Sequence, residues 1–387
     1  MPTDLSRLKV AIVHDWLITA RGGERVLDAL CEIFPQAEIF TLFQKKGRNT
    51  ARIENRPTHT SFIQKFPSVE KCYRYLLPIL PMAAESLPVR GFDLVISSSH
   101  CVAKGVIPDP GALHVSYCYT TMRYAWDQAP QYFGTGLKAA LFAPFLHYLR
   151  IWDTASSARV DRFIAISEFI SSRIEKYYRR ESDVVCPFVD LEHFKPRAGD
   201  RGDYYLVVSA FAPYKRVELA IEACEKAGKR LLIVGGGQNA ASLKKLGGKH
   251  TEFLGNLPDA DLPDLFAGAK AFLFPGIEDF GITPLESMAC GTPVIAYGAG
   301  GATETIIDGK TGLFFHQPTA DSLAEALHRF ESLDTSEWSK ECRERALFFS
   351  KQRFQNEFLG IVGKLLDKTA PLTNESRSAL PDFYLGA

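Results

Sequence analysis

Excess charge, paired-cysteine motifs and long apolar runs are all missing from this chain of 387 residues. Lys plus Arg and Asp plus Glu both number 45, so no basic surplus is available to hold a polyanion, and no local basic run supplies one. Nucleic acid is not expected as a partner. The eight cysteines (Cys31, Cys72, Cys101, Cys118, Cys186, Cys224, Cys290 and Cys342) form no C-x-x-C pair and no zinc spacing with histidine. A chain of this size needs no disulfide staples, so reduced thiols in a cytoplasm are expected. The start of the chain, with acidic Asp4 and one short apolar strand, predicts neither a signal peptide nor a membrane-spanning helix. Any membrane contact is then peripheral, on the inner face of the cytoplasmic membrane. No G-x-G-x-x-G follows the first strand, which argues against a nicotinamide dehydrogenase.

What is present is apolar content, 46% of residues, enough for two cores at this length. Short β-branched runs (VAIVHDW, DLVISSS, HVSYCY, RFIAIS) alternate with helical patterns, and a second series (YYLVVSA, RLLIVGG, TEFLG, AFLFPG, PVIAYG) follows the segment Lys195–Asp203. This rhythm predicts an α/β fold of two Rossmann-like domains facing each other across a cleft, residues 1–195 and 196–368. The last helical segment, Glu341–Lys368, can pack on either domain, and the polar tail 369–387 is expected to be loose.

The stretch Phe272–Ala296 is the most informative, because an apolar strand enters an acidic, glycine-containing loop that opens a helix. Ligands of parallel sheets collect at such places, and a helix start offers N–H groups to an anion. Glu278 and Glu286, eight residues apart, can address two ends of one nucleotide-linked ligand. Thr283–Glu286 also fits a capping box, with Glu286 turned to backbone instead. The loop Asp279, Phe280, Gly281 and Ile282 presents N–H groups to sugar or diphosphate. Gly22 and Gly23 precede a helical pattern from Glu24, another place for phosphate. Lys215 and Arg216 sit at a helix start, where positive charge opposes the dipole; that mismatch favours an anionic partner. His100 and Lys104 follow a strand at its carboxyl end. Asp259 and Asp261 resemble a metal-binding D-x-D pair, but they precede a helix where Asp is an ordinary cap, so no metal site is expected.

Taken together, SAFAPYKRVELAIEA, LLIVGGG and FLGNLPDADLPDLFAGAKAFLFPGIEDFGITPLESMACGTPVIAYGAGGATETIIDGKTGLFF closely resemble retaining glycosyltransferases of the GT-B architecture, family 4 (group 1). The amino half, with RGGER, SSSHCVAKG and HVSYCYTTMRYAWD, resembles the mannosyltransferase-like branch that builds bacterial surface polysaccharides. The resemblance implies hexosyl transfer from a nucleoside diphosphate sugar, GDP-mannose first, to a glycan or lipid-linked acceptor, without a metal or other cofactor. It implies Glu278 at the donor sugar, Glu286 at the ribose hydroxyls and Lys215 at the leaving diphosphate. The arginine usual five residues before that lysine is Ala210 here, with Arg216 as a substitute charge. Tyr119 stands where relatives often carry histidine. His100, Lys104, Tyr119, Arg123, Tyr124 and Trp126 are expected on the acceptor side, although aromatics packing under a loop fit the same pattern. A UDP-sugar transferase, a sugar-nucleotide epimerase and a non-catalytic nucleotide- or carbohydrate-binding subunit remain as alternatives.

Phe62–Met82 interleaves Lys65, Lys71 and Arg74 with aromatic and apolar residues, a pattern suited to an anionic bilayer surface. The apolar run Ala139–Leu149 is too short to span and is expected to be buried.

Overall fold

The structure, a computed structural model, describes residues 5–19, 22–134, 136–197, 199 and 201–369; the expected loose tail lies outside these from residue 370 onward. The first sheet consists of β1 (Val10–His14), β2 (Glu38–Thr41), β3 (Thr58–Thr60), β4 (Leu94–Ser99), β5 (Leu113–Cys118), β6 (Arg162–Ala165) and β7 (Ser182–Val184). The second consists of β8 (Tyr205–Ala210), β9 (Leu231–Gly236), β10 (Thr251–Gly255), β11 (Ala271–Phe274), β12 (Val294–Tyr297) and β13 (Gly312–Phe315). Their orders are β3-β2-β1-β4-β5-β6-β7 and β10-β9-β8-β11-β12-β13, parallel throughout. Every residue of β1, β4 and β5 is buried, as expected of apolar strands covered by helices on both faces. In each sheet the order reverses beside the first strand, between β1 and β4 and between β8 and β11. Those switch points are where open α/β sheets bind ligands.

β2, β3, β7 and β13 were not expected. Each has only three or four residues, too few for a period to show. The helix Gly22–Ile33 takes both glycines into its first turn instead of beginning at Glu24. The helix Ile282–Ala289 starts one residue before Thr283, with left-handed Gly281 (φ 92°) at its cap, so the capping box does not form. Glu286 lies in the second turn, its carboxylate left for other partners.

The terminal segment is two helices, Trp338–Leu347 and Lys351–Thr369. The second lies on the first domain: Phe354 and Phe358 meet the Tyr117 ring at 5.6 and 6.2 Å, and Lys351 pairs with Glu32 at 2.7 Å. The run Ala139–Leu149 corrects its expectation. It belongs to the helix Leu137–Ser157, which buries Leu146, Leu149, Asp153 and Ser156 and leaves Leu141 77% exposed on the opposite face. No helix among the described residues is long and apolar enough to cross a membrane.

Candidate active site at the interdomain cleft

Lys215 leaves the short turn after β8, and Glu278 leaves the loop after β11, so two neighbouring strands deliver them to one point. They form an ion pair. Beside them a cavity of about 450 Å³ is lined by Gly235, Gly236, Asn256, Glu286, Lys215 and, from the other domain, Arg25. Arg25 reaches from the helix Gly22–Ile33 to Glu286 at 3.2 Å and to Asp259 at 2.8 Å. Burial raises the Glu286 carboxyl to about 7, against the opposing pull of Arg25. Gly235 (φ 131°) keeps the floor open, because a Cβ there would lie 1.9 Å from the Ser209 carbonyl oxygen.

Arg216 does not supply the second cation. Its guanidinium donates to Glu218 at 2.8 Å and to the Pro318 carbonyl at 3.2 Å, and it is Arg25 that shares the cavity with Lys215. Asp259 is taken by Arg25 and by His193 at 3.6 Å, while Asp261 stands at the start of the helix Leu262–Gly268 without a side-chain cap bond. Among the described residues no three His, Cys, Asp or Glu side chains converge to hold a metal ion.

The loop after Glu278 is held from both sides of the cleft. Asp279 receives Arg123 and Arg173 at 2.7 Å each, and its carbonyl accepts from Ser167 at 2.6 Å, all three from the first domain. Burial would lower the Arg123 pKa, but Asp279 overrides it and the net shift is upward. Glu304 accepts from the N–H groups of Glu168 and Phe169 at 2.8 and 2.9 Å, capping a helix of the opposite domain. The Phe280 ring turns inward against Phe349 at 5.8 Å, so this residue faces the cleft through backbone. Gly281 and Ile282 line the same gap, opposite Gly22 and Gly23.

The first-domain wall borders a cavity of about 810 Å³, lined among others by His100, Tyr124, Tyr73, Tyr132, Lys71 and Arg74. Arg123 and Tyr119 border it as well, and Tyr119 donates to the Gly23 carbonyl at 3.0 Å. His100 is anchored by Nδ1 to Asp15 at 3.0 Å. Asp15, fully buried, accepts four backbone N–H groups from residues 100 to 103. Burial opposes its ionisation, but His100 and these donors hold its pKa well below the usual carboxylate range.

Two acceptor-side expectations are overturned. Lys104 is buried and spends its ammonium on Asp153 (2.6 Å), Ser156 (2.9 Å) and the Asp153 carbonyl (3.2 Å) between the Trp152 and Tyr178 rings. Trp126 donates to the same Asp153 at 2.8 Å and stacks on Tyr177. Both pack beneath the cleft. Arg25, Arg173, Glu304 and His14 were missed. Arg25 stood in the RGGER run already quoted, whereas Arg173 and Glu304 carry no local signal because their partners lie more than 100 residues away.

Comparison with known proteins bears on the fold and the family. Residues 188–347 match the family model described as Glycosyl transferases group 1. A GDP-mannose-dependent alpha-(1-6)-phosphatidylinositol monomannoside mannosyltransferase of Mycolicibacterium smegmatis is 32% identical over 170 residues, 36% of this chain and 44% of that protein. The chain thus covers less than half of that relative. Sucrose-phosphate synthase from Thermosynechococcus elongatus superposes with a TM-score of 0.69 at 17% identity, covering 94% of this chain and 100% of that one. Anabaena HepE in complex with UDP-glucose superposes with a TM-score of 0.66 at 16% identity, covering 92% and 99%. The chain therefore has the GT-B fold, and its second domain carries the group 1 glycosyltransferase match.

Proposed function

We propose that the protein is a glycosyltransferase that moves a hexosyl group from a nucleoside diphosphate sugar to a glycan or lipid-linked acceptor, with retention of configuration. The observation that carries this reading is the meeting of Lys215, Glu278, Glu286 and Arg25 in one interdomain cavity beside the glycine-opened helix Gly22–Ile33. Lys215, Arg25 and the N–H groups of the 279–282 loop offer positive charge to a diphosphate without a metal. Glu286, freed from the capping box, is placed to accept from ribose hydroxyls. In the transfer, the acceptor oxygen bonds to the anomeric carbon, the bond to the diphosphate breaks, and the acceptor proton leaves with the departing nucleotide. Domain closure supplies orientation, and the cations stabilise the leaving charge.

Mannose from GDP-mannose is the first choice of donor, supported by the name of the mycobacterial relative. A UDP-sugar is the second, supported by the UDP-glucose complex of HepE. The cavity bearing Lys71, Arg74, Arg123 and the rings of Tyr73, Tyr124 and Tyr132 suits an acceptor that combines sugar rings with phosphate. Such an acceptor fits a protein working at the inner face of the cytoplasmic membrane in surface-glycan synthesis.

The deciding experiment measures thermal stabilisation and sugar-nucleotide hydrolysis with GDP, UDP, ADP, GDP-mannose and UDP-glucose. Selective stabilisation by GDP and GDP-mannose is expected. Selective response to UDP ligands overturns the donor alone, and no response to any nucleotide overturns the transferase reading.

A further inference from the structure

At the carboxyl end of β1, three side chains and a carbonyl form a continuous run. Tyr119 donates to the Gly23 carbonyl at 3.0 Å, Ser98 Oγ lies 2.9 Å from the Tyr119 hydroxyl, and His14 Nδ1 lies 3.0 Å from Ser98 Oγ. Counting hydrogens fixes the direction of every bond. A carbonyl only accepts, so the single Tyr119 hydroxyl hydrogen goes to Gly23. The Tyr119 oxygen must then accept from Ser98, and Ser98, its own hydrogen committed, must accept from His14. Nδ1 therefore carries the imidazole hydrogen and Nε2 keeps a lone pair.

The ring stays neutral near pH 7. Burial lowers its pKa from 6.5, outweighing Glu24 and Asp15, which act upward, while His100, 6.2 Å away between ring centroids, acts downward. His14 borders the 810 Å³ cavity, and its Cε1, between the two ring nitrogens, faces Gly23 so closely that a Cβ there would lie 3.7 Å away. Among the described residues Nε2 has no protein partner, and it is not sealed from the cavity. An accepting nitrogen held in one tautomer, at the switch point and beside the diphosphate-facing glycines, calls for a ligand that donates.

We infer that His14 Nε2 accepts a hydrogen bond from a hydroxyl of the carbohydrate bound in the cleft, and that Ser98 and Tyr119 are positioning residues that fix its tautomer. The inference rests on the sugar-transfer reading above and assigns that site a contact with the sugar.

Asparagine and glutamine separate the two ring nitrogens. His14→Asn places an amide near Nδ1 and satisfies Ser98; His14→Gln places one near Nε2. With the best donor of the nucleotide panel, His14→Asn is expected to lose about 10-fold or more in turnover, the scale of one lost hydrogen bond, and His14→Gln to recover part of it. Thermal stabilisation by GDP or UDP, unchanged in both, shows that they fold. Nitrogen-15 NMR of histidine-labelled protein should find Nδ1 protonated and Nε2 unprotonated, and Tyr119→Phe should mix the tautomers and lower kcat. Rescue by Asn with failure of Gln overturns the inference, as does an Nε2-protonated ring in the wild type. An unaltered tautomer in Tyr119→Phe overturns the positioning role. Wild-type protein inert towards all the nucleotides overturns the transferase reading and the inference with it; an active wild type with Asn rescue overturns the inference alone.

Discussion

Lys215 and Glu278 are ion-paired across the carboxyl ends of two adjacent strands, β8 and β11. The pair keeps an ammonium in a half-buried cleft without leaving it uncompensated. In the proposed transfer, a diphosphate would compete with Glu278 for Lys215 and leave the Glu278 carboxylate to the sugar.

Lys215→Ala removes preorganised charge from the leaving group. Turnover should fall about 100- to 1,000-fold. The pair is partly exposed, so folding stability should change by no more than about 1 kcal/mol. Steady-state kinetics and thermal melts of the same preparation check both; near-normal turnover refutes the role.

Glu286 titrates near neutrality, which gives nucleotide binding a pH signature. Its carboxyl is raised from an ordinary 4.5 to about 7, chiefly by burial. Between those values the unfolded chain is ionised and the native one is protonated, so this group's contribution to stability declines as pH rises through that window. For a ligand that needs the carboxylate, the sign is opposite: affinity should rise with pH up to about 7 and then level off. Calorimetric titration of GDP or UDP across this range checks it. Glu286→Gln should bind weakly and without that slope.

Arg173 and Arg123 grip Asp279 from the opposite domain and so tie the two domains together at this loop. Arg173→Ala leaves Arg123 as the remaining cation on Asp279 and also removes the contact with Asp127 at 3.3 Å. The loss should be about 1–3 kcal/mol in stability, the scale of removing one of two hydrogen-bonded cations from a largely buried carboxylate. Small-angle scattering should show a larger radius of gyration without ligand, reduced again by saturating nucleotide. An unchanged radius would mean that this tie does not hold the domains.

Much of this was legible in the sequence wherever a signal is local. The long apolar strands, the Glu278–Glu286 spacing and Lys215 after β8 all announce themselves within a few residues. Short strands such as β2 and β3 do not, because three or four residues show no period and their pairing is set by the neighbouring strand, β1 for β2 and β2 for β3. Lys104 shows the limit more sharply. At a strand's carboxyl end it reads as a ligand contact, yet Asp153, 49 residues on, draws it inward. His14 was passed over because its chemistry comes from Ser98 and Tyr119, 84 and 105 residues later, through bonds that no spacing rule contains.

Lys104→Met separates a structural cation from a binding one. It leaves Asp153 buried with only the Trp126 and Tyr178 donors. Breaking a buried pair from one side typically costs about 3–5 kcal/mol. Urea melts should show that loss, while the acceptor KM of whatever protein stays folded should be unaltered. A raised KM at normal stability would return Lys104 to the acceptor site.

The peripheral membrane contact proposed from the sequence is tested on two exposed surfaces. Tyr75 is 86% exposed and Met82 also projects from the short helices that follow Phe62, and Lys65, Lys71 and Arg74 are exposed among them. Trp152 and Arg159 both bond Glu85, at 2.9 and 2.8 Å, and so fasten the helix Leu137–Ser157, with its exposed Leu141 and Ile151, beside that segment. Exposed apolar side chains and exposed cations on these segments suit an anionic interface, where each cation contributes roughly 1 kcal/mol. Reversing Lys65, Lys71 and Arg74 to glutamate should therefore lower flotation with phosphatidylserine vesicles by far more than 10-fold, and salt should weaken the wild type in the same direction. Leu141→Asp, which touches none of the cations, should lower flotation by removing the apolar share alone. If neither variant changes flotation, these segments do not meet a bilayer.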